Sequence, residues 1–352
     1  MKTTPEAIRD LTAVVGGSAP PVTLSTIEAL RQLYAALGGA EDVSKTNTIP
    51  GMLEVIAAAQ AAAVDYAAIV KGIAERDIET LVFPEGTESV ADGQSNYGDY
   101  FGTFGSITTL EKVVFPESLT YIGNGAFKGC SSLEEVVFAE GLTTIATKAF
   151  QGCTSITELN FPKTLKTIKS NAFYQCTALK SADIAYVETI ENSAFNGCTT
   201  LESVDLTNLV TIGNQAFYGC TELKSVRLGN KLTGIGSSNF YNTNIVELTI
   251  PGSVSNVGNG VFYGCKALVT ATYGEGVVSI AGKTQSMPGQ IEGCTAIDSL
   301  YLPSTIETIG DNAFSNPSAT LTIYCAFSEN AVSGAPWGAT NATIVYDHTP
   351  SE

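Results

Sequence analysis

The chain predicts a β-rich solenoid, a right-handed coil of parallel β strands built from 22–23-residue repeats and preceded by a small all-α module. Three observations carry this reading. A template complete at Leu110–Ser132 restarts at Leu133, Ile156, Leu179, Leu201, Leu223, Ile245, Leu268 and Ile297. Most copies open on a period-2 alternation of apolar and polar residues. Most also close on an Ala-Phe turn followed by cysteine. A period this short gives one turn of chain per repeat, so the core is stacked repeat upon repeat rather than gathered at one centre.

The first element is the helical module, residues 1–77. Thr4-Pro5 opens a helix with Ile8, Leu11 and Val15 on one face. Gly16–Pro21 separates it from a second helix, where Ser25 and Glu28 form a capping box. Ile27, Leu30, Tyr34 and Leu37 make its apolar stripe and Gly38 ends it. A third helix is expected over 49–71. There Met52, Ile56, Ala59, Ala63, Tyr66 and Val70 follow the 4-3-4-3-4 spacing of a coiled-coil seam. Two roles stay open for this module: a cap over the exposed first edge of the coil, or a homo-oligomer joined through helix 49–71.

The solenoid occupies 78–320. Counting an irregular copy that begins near Ile78 as the first, Leu110 opens repeat two and Ile297 repeat ten. Val113 and Phe115 alternate with Lys112 and Val114, as on a strand with one buried face. Pro116, Pro162, Pro251 and Pro303 stop that strand, because proline has no N–H for the ladder. A second extended piece is centred on Ile122 and its equivalents down to Ile309. Two residues later comes a polar slot, Asn124 to Asp311, expected to cap the turn that follows. That turn places Phe127, Phe150, Phe173, Phe195, Phe217, Phe240, Phe262 and Phe314 in one spine. At roughly 4.8 Å per repeat, nine copies span about 40–45 Å. Residues 91–107 depart from the template, an insertion falls at 283–289, and repeat seven has Asn239 for alanine and Thr243 for cysteine.

Charge and chemistry narrow the function. The formal net charge is −17, a field that repels phosphate backbones and anionic lipid, so neither nucleic acid nor a membrane surface is an expected partner. No segment reaches the roughly 18 apolar residues of a membrane span. Glu6 and Asp10 interrupt the place where a signal peptide would keep its apolar core. The only histidine, His348, stands four residues from the C-terminus, which leaves no Ser-His or Cys-His pair inside the repeats. Neither a G-x-S-x-G nor a Walker-type glycine loop is present. The chain is therefore read as a non-enzyme with no catalytic residues and no cofactor. Seven of the eight cysteines share one slot, with side chains parallel rather than converging, so buried free thiols are expected instead of disulfides or a metal site.

The template, L-x-x-L-x-F/L-P followed by L-x-x-I-x-x-x-A-F-x-x-C, resembles the BspA-type leucine-rich repeat over about 78–346. Leu321–Cys325, Trp337 and Ile344–Tyr346 resemble that family's C-terminal cap, placed here at 321–352. The resemblance implies a non-catalytic surface for protein binding or adhesion, with a protein or glycan ligand, on a cell surface or extracellular. Residues 30–59 also resemble N-terminal segments of phage tail-associated proteins. This keeps a virion component, displaying its repeats outward, as the alternative; a purely structural role is the third.

The expected interaction surface is the outward face of the main strands. Two columns run along it, one from Lys112 to Ser299 and the other from Val114 to Tyr301. The candidate binding residues are Asn160, Asp183, Asp205, Arg227 and Tyr301. Short polar side chains beside carboxylates suit hydrogen bonding to a glycan or a basic loop. The plainer reading is a solvated face that prevents sheets from pairing edge to edge.

Overall fold

The computed structural model describes residues 79–349 apart from 84–85, 93, 97–98, 102–103 and 316–319, together with a strand at Met52–Glu54. The described chain is a parallel β-solenoid, and it contains no helix. The expected helices of 1–77 lie outside the described residues, with one correction. Met52–Glu54, placed in the third helix and its seam by the heptad spacing, is a strand paired in parallel with Thr80–Val82. The first repeat otherwise presents an open row of N–H and C=O groups, and a strand laid along that edge satisfies them.

Every repeat contributes one strand to each of two sheets. The second sheet is an unbroken ladder of ten strands, from Ser89–Val90 to Thr308–Ile309. The main sheet is broken into four runs. Its strands at 80–82, 112–114 and 135–137 pair together, then 158–159 with 181–182 and 203–206 with 225–228. The last run joins 247–250, 270–273, 299–302, 321–325 and 342–345. Register always joins equal template slots, as in Val113↔Val136, Val204↔Val226 and Leu300↔Ile323. The alternation read from sequence is therefore the alternation observed: Val113 and Phe115 face the core and Lys112 and Val114 do not.

The spine forms as the template predicts from Phe127 to Phe262 and starts one ring earlier. It is not continuous to Phe314: Ile291 fills the ring slot of repeat nine, and Phe314 packs instead against Tyr273 and Trp337. Phe104, in the irregular first repeat, stacks on Phe127 at 5.4 Å, and the column continues through Phe150, Phe173, Phe195 and Phe217 at 5.2–5.5 Å. A second aromatic row, Phe83, Phe115, Phe138 and Phe161, packs beside it from the strand ends. Each turn of repeats two to eight holds two residues in the left-handed region. In repeat three these are Lys148 at φ 60° and Gly152 at φ 74°, which accounts for the small residue standing before cysteine in most copies.

All eight cysteines are buried and free. They are more than small apolar fillers, because each slot thiol donates to the spine carbonyl of the preceding repeat. Cys130 Sγ reaches the Phe104 oxygen at 3.0 Å, Cys153 that of Phe127 at 3.2 Å, and Cys220 that of Phe195 at 3.2 Å. From Phe127 on, most of these carbonyls also accept the N–H of the cysteine in their own turn, as Phe127 does from Cys130. Burial pushes the thiols of Cys130, Cys176 and Cys220 up to about 12. They stay protonated and donate.

The polar slot does something other than cap its own turn. Asn124 Oδ1 accepts the N–H of Thr147, Asn192 that of Asn214, and Asn214 that of Ser237. Each amide thus bonds the equivalent slot one repeat on. The correction has a geometric cause: the next repeat's N–H is closer to hand, in a parallel stack, than the turn ahead.

Candidate binding face

The proposed columns exist as columns, and their side chains differ along the axis. At the N-terminal end Lys112 and Glu135, register partners, form an ion pair at 2.8 Å. In the centre Asn160, Asp183, Asp205 and Arg227 are all exposed. Asp183 and Asp205 stand on either side of a break in the sheet ladder, between 181–182 and 203–206. Their carboxylates turn back along the chain. Asp183 Oδ1 accepts the Ala185 N–H at 3.5 Å; Asp205 Oδ1 accepts the Thr207 N–H at 2.9 Å and its hydroxyl. Arg227 is the register partner of Asp205, but that carboxylate is engaged with Thr207 and no ion pair joins the two among the described residues. Arg227 is exposed, and its guanidinium carries five donors.

Tyr301 lies well apart from that centre, three repeats further along. It stacks on Tyr324 of the next strand at 4.8 Å and 9°, and His348 packs against both, 5.8 Å from Tyr301 and 4.7 Å from Tyr324. The structure therefore divides the five candidates into a polar centre, Asn160 to Arg227, and an aromatic end. Tyr324 and His348 were missed by the sequence reading. The template stops before both, and only the continued ladder, Tyr301↔Tyr324, brings them alongside. In the C-terminal cap Trp337 is buried, donates Nε1–H to the Ser333 carbonyl at 2.8 Å and meets Phe314 edge-on.

Comparison with known proteins agrees with the template. The family described as BspA type leucine rich repeat region matches in six copies, over residues 100–211 and 188–320, more than half of the chain. The chain belongs to this family. The match leaves 30–59, the segment resembling phage tail-associated proteins, uncovered. Solved structures similar to it include a leucine-rich repeat protein from Bacteroides ovatus, at 20% identity over 75% of this chain and 93% of that one, with a TM-score of 0.42. A leucine rich cell surface protein from Faecalibacterium prausnitzii gives 19% identity, coverage of 77% and 80%, and 0.43. The pneumococcal vaccine antigen PcpA gives 21%, coverage of 77% and 80%, and 0.42. No curated protein matches the chain.

Two further features of this BspA-type coil lie off the main face. A trough of about 570 Å³ runs over the second sheet from Asn214 to Gly310, bordered by Ser237, Asn256, Ser279 and Thr308, and no residue lining it is charged. Its signal in the sequence is the Ile-Gly or Val-Gly pair that recurs at 212–213, 235–236, 257–258 and 309–310. A Cβ on Gly236 would stand 2.6 Å from Asn214 Oδ1, and one on Gly258 2.7 Å from the Ser237 nitrogen, so the polar ladder requires glycine there. The second feature is a stack of three tyrosines on the turns, Tyr218, Tyr241 and Tyr263.

Proposed function

We infer that this protein is a non-catalytic binding scaffold of the extracellular or cell-surface kind, and that the outward face of its main sheet engages a protein or glycan. The observation that supports this best is the polar centre of that face. Asn160, Asp183, Asp205 and Arg227 are exposed on a stack whose buried side is fully packed, so the surface is rigid before any partner arrives. Short side chains let a ligand approach the sheet, and Arg227 presents a fork that suits a carboxylate or a row of hydroxyls. Membership of a repeat family built for surfaces points the same way. The titratable groups whose values are displaced are thiols and tyrosines shifted upward by burial, with one exception in the Cys265–Cys294 pair; none is a poised acid or base facing this sheet.

The test is binding of the intact chain to a glycan array and to a panel of immobilised extracellular matrix proteins, repeated with Asp183, Asp205 and Arg227 all changed to alanine. The reading expects a specific ligand whose binding the triple variant loses while its unfolding transition stays in place. A ligand bound equally by both proteins would move the site to another face, with the trough beside Asn256 and Ser279 next in line.

A further inference from the structure

Tyr218, Tyr241 and Tyr263 occupy one template slot, directly after the spine phenylalanine, in repeats six, seven and eight. The same slot holds Lys128, Gln151, Tyr174 and Asn196 in earlier repeats and Glu292 in repeat nine, so the template does not demand tyrosine. The rings are half-buried and lie nearly parallel, at 4.3 Å and 18° for the first pair and 4.4 Å and 19° for the second. They are the closest aromatic contacts among the described residues, more than 0.5 Å tighter than the spine at its tightest, 5.2 Å. Burial, with the phenols of Tyr218 and Tyr263 close beside it, pushes the Tyr241 hydroxyl above its ordinary range. Near-parallel rings at this distance put the carbons of neighbouring phenols in contact.

The position has a second peculiarity. The main-sheet ladder is interrupted between Ser225–Leu228 and Glu247–Ile250, the junction of repeats seven and eight. Val226 and Leu228 are only partly buried there, and Val246 is 47% exposed. The stack crosses the same junction on the turns, where Tyr241 meets Tyr263. Among the described residues the eight thiols are buried and Trp337 is 2% exposed, while Tyr186, at 41% exposed, has no second ring stacked on it. A one-electron oxidant can reach single phenols elsewhere, but at this stack it meets three in contact.

We propose that Tyr218, Tyr241 and Tyr263 form an oxidative cross-linking site, at which a peroxidase-type oxidant driven by hydrogen peroxide joins Tyr241 to Tyr218 or Tyr263 through a carbon–carbon bond. Each of two adjacent phenols gives up one electron and its hydroxyl proton and becomes a phenoxyl radical, with spin on the ortho carbons. The two radicals pair to form the bond between those carbons. Each ring regains its aromaticity when the ortho hydrogen leaves as a proton and the oxygen takes one back. The two electrons and two protons lost overall reduce one peroxide, whose O–O bond breaks to give two waters. The product is a covalent staple between consecutive repeats, and in the Tyr241–Tyr263 case it spans the junction where the sheet ladder is missing.

The experiment treats the intact chain with a peroxidase and hydrogen peroxide and follows dityrosine fluorescence, electrophoretic mobility and the masses of digested peptides. The expected product is a monomer in which the peptide holding Tyr241 is joined to that holding Tyr218 or Tyr263, formed at a rate independent of protein concentration. Tyr241→Phe keeps the middle ring but removes its phenol and abolishes this product, since Tyr218 and Tyr263 are two repeats apart. The double variant Tyr218→Phe with Tyr263→Phe, which keeps Tyr241 but leaves it no partner, abolishes it too. Both variants are first shown to unfold in the same transition as the parent. Coupling that is chiefly between molecules, that maps instead to the wider Tyr301–Tyr324 pair, or that persists in either variant overturns the proposal. So does consumption of the tyrosines without any joined peptide.

Discussion

From Phe104 to Phe217 neighbouring spine rings lie 5.2–5.5 Å apart, whereas from Phe217 to Phe240 and on to Phe262 the spacing widens to 6.1 and 6.5 Å. Repeats two to six and repeats seven to nine share a template but are held differently. In the regular part the same few bonds recur: thiol to spine carbonyl, polar slot to the next N–H, ring on ring. In the irregular part particular side chains replace them. Repeat six does not close its turn with the usual bond from Ala216 to Gly213. The buried amide of Asn239 bridges both, accepting from the Ala216 N–H at 3.1 Å and donating to the Gly213 carbonyl at 2.9 Å and the Gly236 carbonyl at 2.8 Å. Thr243, in the cysteine slot, turns its hydroxyl to Phe240 of its own repeat at 2.9 Å rather than to Phe217. In repeat nine Gln290 fills the alanine slot and Ile291 the ring slot, and Gln290 Oε1 is buried without a partner. Uniform stacking makes strength out of repetition; a departure survives only where a specific group satisfies the donors it exposes.

The largest expected effect tests the spine. Phe173 has close rings on both sides, at 5.4 and 5.3 Å, while Phe240 has neighbours at 6.1 and 6.5 Å. Phe173→Ala should cost about 3–5 kcal/mol in denaturant unfolding and Phe240→Ala measurably less, since the looser site has fewer contacts to lose. Equal costs would erase the distinction between the two regions.

Alkaline pH should strike the regular part next. The thiols of Cys130, Cys176 and Cys220 rise from 9.0 to about 12 on folding, so between those values the folded state holds protons that the unfolded chain releases. Stability is then complete below pH 9 and falls as pH rises toward 12, by about 1.4 kcal/mol per thiol for each pH unit. Unfolding curves across that window, with thiol labelling slow in the folded state and fast after unfolding, check it. Stability independent of pH above 9 would contradict the thiol ladder.

Restoring the template in the irregular part separates repetition from substitution. Asn239→Ala returns the family residue yet strips partners from buried carbonyls, and should destabilise by roughly 1–3 kcal/mol. Thr243→Cys instead gives Phe217 the thiol donor it lacks and should stabilise by roughly 0.5–1.5 kcal/mol. If both changes stabilise, Asn239 is a tolerated accident rather than a replacement for the lost bond. The smallest effect belongs to the face: alanine at Asp183, Asp205 and Arg227 together should shift stability by less than about 1 kcal/mol, because all three are exposed.

The amino-acid sequence by itself determined the solenoid, the inward and outward alternation of Val113 and Phe115, the ring column and the buried thiols. These follow from a short period, which forces equal residues into equal places whatever the rest of the chain does. It also located departures at 91–107, Asn239, Thr243 and 283–289, without saying what would fill the gap, and it passed over Gln290 and Ile291 in the Ala-Phe slots of repeat nine. Tertiary structure alone decided three things, each depending on a partner a full repeat away. The polar slot bonds forward to the next repeat rather than capping its own turn, because the parallel stack sets that N–H within reach of Asn124 and Asn214. Met52–Glu54 is a strand because the open edge at Thr80–Val82 outweighs a helical spacing with alanine at two of its six seam positions. Tyr301 and Tyr324 are neighbours, while Asp183 and Asp205 are divided by a break in the ladder, because pairing of whole strands is a long-range outcome that side-chain periodicity does not encode.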